Sequence, residues 1–482
     1  MTAGASPSET PAWRRPPGPP RSLIPGLVAW RLLRNPLGQL TWLARSYGDI
    51  AALHFGSRQL TLLNHPDFIQ TVLRDRSTAF VKGQALQRSR RFLGEGLLTS
   101  EGDQHLRQRR MIQPVFHRQR IAGYGEIMTE QALRLGQSWQ DGQALDLHAA
   151  MMHLAMGIAA QALFDIDVQS QAGQVSAALN TLLADFNRLA LPFSDALLRL
   201  PLPSNRRTLQ AMHSLDQVIQ QMIEQRRADL AAPVDLAARH DLLSLLLQAT
   251  DEHGQGMSDR QIRDEALTLF LAGHETTANA LTWTWYLLCC NPQVEAQLLN
   301  ELRLVLGGRP PAAADLDRLV YTRMVLQEAL RLYPPAWVIG RQALQDLELG
   351  GYAIARGSTV LMSQWVMHRD PRYYPDPERF DPQRWLPEAQ AARPRFAYFP
   401  FGGGPRLCIG EGFAWMEATL VLAALVQTWQ VRLAPGYTAV PQPGITLRPK
   451  GGLPVVVNRR PGAGLFDNPH GSEFERAGIL RP

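Results

Sequence analysis

Apolar and polar positions alternate with different periods along the chain. After a polar, proline-rich start, Asn35-Pro36 opens a short amphipathic pattern through Leu40 and Leu43 to Tyr47-Gly48, which predicts a first helix. Ile50 to Phe55 and Leu60 to Leu63 read as two strands, with Gly56-Ser57 as the turn. From about residue 65 to about 335 the period is mostly helical. Short strands are then expected at Trp337 to Ile339, Leu347 to Leu349 and Thr359 to Met362, with Gly350-Gly351 and Gly357 as turns. Asp370 to Pro387 is proline-rich and aperiodic, a last helix is expected over 411–429, and a β-rich end finishes near Val457. The pattern predicts a mainly α fold with a smaller β-rich region in a single large domain over 36–458. An N-terminal tail and entry segment, 1–35, and a C-terminal tail, 459–482, flank it.

Two helices stand out. The first opens at Ser258-Asp259-Arg260-Gln261, a capping box, and carries Ile262, Ala266, Leu269, Phe270, Leu281, Leu287 and Leu288 at helical spacing until Asn291-Pro292 ends it. Its ~33 residues would span about 50 Å. It is apolar nearly all round in its second half, so it is expected to cross the core. The second runs from about Tyr321 to Tyr333, is stopped by Pro334-Pro335, and sets Glu328 and Arg331 on one face.

Composition narrows the function classes. With 45% hydrophobic residues in 482, the chain is too polar for a membrane bundle and too apolar for disorder. No uninterrupted apolar run reaches the ~18 residues of a membrane span, and no signal-peptide pattern opens the chain. Only Cys289, Cys290 and Cys408 occur, which argues against a disulfide framework, and no CxxC pair suggests zinc or an iron–sulfur cluster. The net charge is +6, and all basic residues except Lys82 and Lys450 are arginines. They are scattered, so no nucleic-acid interface is expected. These features predict a cytoplasmic protein.

The strongest local signal is Phe401-Gly402-Gly403-Gly404-Pro405-Arg406-Leu407-Cys408-Ile409-Gly410, followed at once by a helix. Gly402, Gly403, Gly404 and Gly410 would allow unusual backbone and close approach of a flat ligand. Cys408 would sit at a helix N-terminus, where N–H groups, the dipole and Arg406 favour a thiolate. The bland alternative is a glycine-rich turn beside an inert cysteine. A second signal, Ala272-Gly273-His274-Glu275-Thr276-Thr277, lies mid-helix. Its glycine costs ~1 kcal/mol relative to Ala, and its hydroxyls and carboxylate could open the helix into a groove.

The cysteine segment resembles the haem-binding loop of cytochromes P450, Phe-x-x-Gly-x-Arg-x-Cys-x-Gly, at every fixed position, and three further motifs of that family occur in the expected order. The resemblance covers about residues 36–458 and implies the cytochrome P450 fold. It makes Cys408 the axial ligand of heme b, and Glu275 and Thr276 an acid–alcohol pair that guides protons. His274 is read as structural. Glu328 and Arg331 are implied to join an arginine of the proline-rich stretch; of Arg379 and Arg384, the pattern Phe380-Asp381-Pro382-Gln383-Arg384-Trp385 favours Arg384. His105 and Arg109 match a haem-propionate motif, with Arg341 and Arg406 as further propionate partners and Phe401 beside the cofactor. Arg107 and Arg110 are either a solvated face or part of a docking site for an electron donor.

The implied activity is a monooxygenase that inserts one atom of O2 into a C–H bond, with NAD(P)H-derived electrons from a separate ferredoxin or flavodoxin and its reductase. The substrate pocket implied by analogy includes Phe270, Ala272, Ala336, Val338 and Ile445. Its apolar character points to a large apolar substrate such as a terpenoid, carotenoid or fatty acid. Two rival readings are a haem-thiolate isomerase or peroxygenase, and a non-catalytic haem sensor.

Overall fold

The computed structural model describes residues 13–20, 27–55, 58–165, 178, 181, 202–231 and 241–461. The expected turn at Gly56-Ser57 and most of both tails lie outside the described residues. The chain packs into two compact units. One comprises Met1–Arg88, Trp337–Pro377 and Arg393–Leu407, and the other Ser89–Ala336, Glu378–Ala392 and Cys408–Pro482. The chain passes repeatedly from one to the other, so neither is a contiguous stretch of sequence.

The first unit is built on a five-stranded sheet. Ile50–Phe55 and Arg58–Leu63 form an antiparallel hairpin in register from Ile50 opposite Leu63 to Phe55 opposite Arg58. The second strand pairs in parallel with Thr359–Met362, which pairs antiparallel with Ile339–Ala343, and Phe80–Lys82 closes the far edge. Period-two alternation gives the sheet two apolar faces. Ile50, Leu63, Val360 and Met362 join Val72, Phe396 and Phe399. Ala51, Leu53 and Leu62 instead pack against Leu40 and Leu43 of the helix Pro36–Tyr47. Asn35 caps that helix, its side chain accepting the Gly38 N–H at 3.0 Å. The strand expected at Trp337 to Ile339 begins at Ile339 instead. The Trp337 carbonyl accepts from the Ser363 hydroxyl and the Trp365 N–H, which takes it out of the ladder. Tyr352–Ile354 is a further strand, hairpin partner of Leu347–Leu349.

The second unit is helical around Asp259–Cys290, a 32-residue helix. Both halves of its capping box form: Gln261 N–H donates to Ser258 Oγ at 3.3 Å, and Gln261 Oε1 accepts the Ser258 N–H at 2.9 Å. The helix runs unbroken past Gly273, so the expected opening into a groove is not seen. A Cβ at Gly273 would meet only Ala159 and Leu163, both at 3.8 Å. Those residues belong to Leu147–Phe164, which packs along the central helix. Among the described residues, that helix alone is long and apolar enough to cross a membrane, but Met151, Ala155, Ile158 and Leu163 are buried within the protein. Val320–Leu332 carries the Glu328 motif, and Glu411–Thr428 follows the cysteine. The β-rich end is a three-stranded sheet of Gln143–Asp146, Pro454–Arg459 and Trp429–Leu433.

Candidate active site

The central helix is buried on most of its circumference, with Glu275, Thr277, Ala278, Asn279, Leu281 and Thr282 all inside. One stripe departs from this: Ala272 is exposed, and Thr276 and Ala280 are half-buried. Their four-residue spacing puts them on one face. An uncovered face of small residues in the middle of a core helix is the surface a flat apolar group would cover.

Glu275 does not share that face. Its side chain is buried, and Oε1 accepts the Thr446 hydroxyl at 2.6 Å. Burial pushes its carboxyl above the ordinary range, against smaller opposing effects from Thr446 and Arg448. Thr276 donates its hydroxyl back to the Ala272 carbonyl at 2.7 Å, which leaves its lone pairs toward the open stripe. His274 is turned inward, a ring nitrogen 3.0 Å from the Phe270 carbonyl, and burial pushes its imidazole below the usual range. Phe270 stacks obliquely between His274 and Phe164.

Cys408 lies two residues before Gly410, which caps Glu411–Thr428. Its side chain is exposed on its unit. Burial of the loop around it pushes the thiol up, while the Gly410 N–H and Arg109 pull it down. The Gly410 N–H and Arg109 favour the thiolate, as the sequence predicts, but the cost of burial outweighs them. Arg109 comes from the helix Gly102–Ile112, which also buries His105. An accessible thiol with an arginine in range, in the same unit as an uncovered helix face, fits a haem with its iron on Cys408.

The loop before the cysteine belongs to the β-rich unit. Gly402 and Gly404 have positive φ; Gly403 and Gly410 do not. At Gly404 a Cβ would lie 1.9 Å from the Leu73 carbonyl oxygen, so that glycine answers the protein's own backbone and not a ligand. Arg406 ends the short 3-10 turn Gly404–Arg406, Phe401 is half-buried, and Arg341 on its strand donates to the Gly340 carbonyl at 3.0 Å.

Glu328 and Arg331 form a fully buried fork, Nε to Oε2 and Nη2 to Oε1, each at 2.8 Å. Arg384 approaches Oε1 at 3.3 Å, while Arg379 contributes only its carbonyl, which accepts from Arg331 at 3.0 Å. Arg107 is used inside the chain. It donates to Asp251 at 2.6 Å and to the Gln255 and Gly256 carbonyls, and Arg110 forms a loose exposed pair with Glu252. Of the pocket candidates, Ala336 and Val338 are half-buried and Ile445 is exposed.

The pattern of residues alone did not reveal Asn279 or the bond from Thr446 to Glu275, because nothing local marks a contact across so many residues. Glu417 had a readable signal, a lone acid inside the apolar run after Cys408. It is fully buried, and burial holds its carboxyl well above the usual range against a weaker pull from Thr277.

The family model for cytochrome P450 matches residues 16–454. The chain is 42% identical to a cyclooctatin synthase of Streptomyces melanosporofaciens, over 86% of this chain and 90% of that protein. It is 36% identical to a cyclooctat-9-en-7-ol 5-monooxygenase of the same organism, over 84% and 87%. The crystal structure of the cytochrome P450DA heme domain superposes with a TM-score of 0.83 at 28% identity, covering 94% of this chain and 99% of that one. With the helix and cysteine loop in place and 439 consecutive positions under one family model, the chain belongs to the cytochrome P450 family and is an oxidoreductase of the monooxygenase type.

Proposed function

We propose that residues 36–458 form one working domain that binds heme b through the Cys408 thiolate and hydroxylates a large apolar substrate of the terpenoid class. The observation that carries this reading is the uncovered stripe Ala272–Thr276–Ala280 on an otherwise buried helix, in the same unit as the accessible Cys408 thiol. The likeness to a cyclooctat-9-en-7-ol 5-monooxygenase supports the terpenoid class over a carotenoid or fatty acid.

When bound, the haem supplies reductive activation of dioxygen, and a thiolate ligand favours O–O cleavage. Cys408 would hold the iron. Arg109 and His105 of the helical unit, and Arg341 and Arg406 of the other, would hold propionates by charge-assisted hydrogen bonds, and Phe401 would pack against the cofactor. Glu275, whose carboxyl burial pushes above the ordinary range, is the internal acid. Thr276, whose hydroxyl hydrogen is held by Ala272, offers its lone pairs to a water on the open stripe and so orders the proton donor there. Phe270, Ala272, Ala336, Val338 and Ile445 exclude water around the substrate. Glu328, Arg331 and Arg384 keep the fold around the cysteine helix in place. Electrons come from a separate ferredoxin or flavodoxin with its NAD(P)H-dependent reductase. The free thiols of Cys289 and Cys290 fit work in the reducing cytoplasm.

The test is made on the purified holoprotein. With carbon monoxide after reduction, the Soret band should be that of thiolate-ligated haem, and Cys408→Ala should abolish it. With a surrogate ferredoxin system and NADPH, a terpenoid alcohol panel should give product. Turnover with peroxide alone would favour the peroxygenase reading, and haem binding without any turnover the sensor. Thr276→Ala should keep NADPH consumption while product falls and peroxide rises; unchanged coupling would refute its role.

A further inference from the structure

A chain of buried and half-buried hydrogen-bonding groups leads away from Glu275. The Thr446 hydroxyl lies 2.6 Å from Glu275 Oε1, Asn279 Nδ2 lies 3.0 Å from Thr446 Oγ1, and His148 Nε2 lies 3.1 Å from Asn279 Oδ1. Glu275, Asn279 and Thr446 are buried, and His148 is half-buried at the start of the helix Leu147–Phe164, next to exposed Asp146. The chain thus links a buried carboxyl to the rim of its unit.

Each middle group can both donate and accept, so the chain has a direction. When Glu275 is ionised it accepts only. Thr446 must then donate to it, Asn279 must donate through Nδ2 to Thr446, and its Oδ1 must accept from a protonated His148 Nε2. When Glu275 is protonated and donates to Thr446, the order reverses: the Asn279 amide turns over and presents Nδ2 to an unprotonated His148 Nε2. A side-chain amide does not pass a proton along such a chain, so the device orients and does not conduct.

We propose that His148, acting through Asn279 and Thr446, is a positioning residue that sets the orientation and the protonation of Glu275. An Nε2–H on His148 favours the carboxylate, and its loss favours the acid. The charged groups that act on the chain from its neighbours are Asp146 and Arg448 on His148, and Arg448 on Glu275. The inference rests on Glu275 being the internal acid, but its test does not need turnover.

The experiment is a pH titration of the ferric holoprotein by infrared difference spectroscopy, reading the C=O stretch of a protonated carboxylic acid. The Glu275 band is assigned by its absence in Glu275→Gln. In the unaltered protein the band should titrate in two coupled steps. Thr446→Val should raise its midpoint most, on the order of tenfold in proton affinity or about one pH unit. His148→Phe and Asn279→Leu should raise it by less and give one step. His148→Gln, which keeps a donor without a titrating ring, should restore the midpoint in a single step. A single-step midpoint that none of the His148 and Asn279 changes moves would overturn the proposal. If Glu275→Gln also leaves the ratio of peroxide to NADPH unchanged, the assignment of the internal acid fails as well. If Glu275→Gln alone changes that ratio, only the positioning role is lost.

Discussion

The Trp385 indole donates its N–H to Glu328 Oε2 at 3.0 Å, the oxygen that also accepts from Arg331 Nε. Oε1 takes Arg331 Nη2 and the Asp381 backbone N–H. One buried carboxylate thereby ties the segment Asp381–Trp385 to the helix Val320–Leu332. These four donors replace the water that a carboxylate loses at this depth.

Glu328→Ala should lower stability by ~3–5 kcal/mol, because it removes the carboxylate that pairs with the fully buried Arg331 guanidinium. Trp385→Phe keeps the ion pair and removes one hydrogen bond to a charged group, so it should cost about 1.5–3 kcal/mol. Urea unfolding of the two variants checks the ranking, and equal losses would mean the indole matters as much as the charge.

The two glycine motifs should respond in opposite ways. Gly273→Ala adds a Cβ at ordinary contact distance from Ala159 and Leu163 in a continuous helix, so stability should rise by up to about 1 kcal/mol. Gly404→Ala drives a Cβ into the Leu73 carbonyl at positive φ and should reduce folded yield and haem content. Thermal melts of both variants give the comparison. A loss of stability in Gly273→Ala would show that a Cβ at that position has no room.

Asp251 is held at about 2 by its hydrogen bond from Arg107, with the Gln255 N–H next. Its folded value is depressed from 3.8, so the stability it contributes is present above the unfolded value and is lost as pH falls toward about 2. Arg107→Gln should therefore lower the urea midpoint near neutral pH, and the difference from the unaltered protein should shrink between about pH 4 and about pH 2. A difference that stays constant with pH would show that the pair acts through packing.

Burial opposes the charge of the His274 imidazole and holds it below the ordinary range. Its folded value lies below 6.5, so the stability associated with the neutral ring is present above 6.5 and is lost as pH falls below it. His274→Gln should flatten that acid-side loss and leave the carbon monoxide spectrum of the holoprotein unaltered. A changed spectrum would give His274 a role at the haem.

Local patterns are readable because their cause is local. Ser258 and Gln261 cap the central helix over one turn, Glu328 and Arg331 meet because three residues is almost a helical turn, and Cys408 precedes a helix because Gly410 can cap it. The sequence by itself therefore determined the main elements, the cysteine loop and the family. Packing decided the rest. Only the tertiary structure brings Thr446 to Glu275 across 171 residues, brings the Trp385 indole onto Glu328, shifts the strand from Trp337 to Ile339, and encloses Glu417. No periodicity encodes such meetings, since they depend on which surfaces exclude water from each other when the elements assemble.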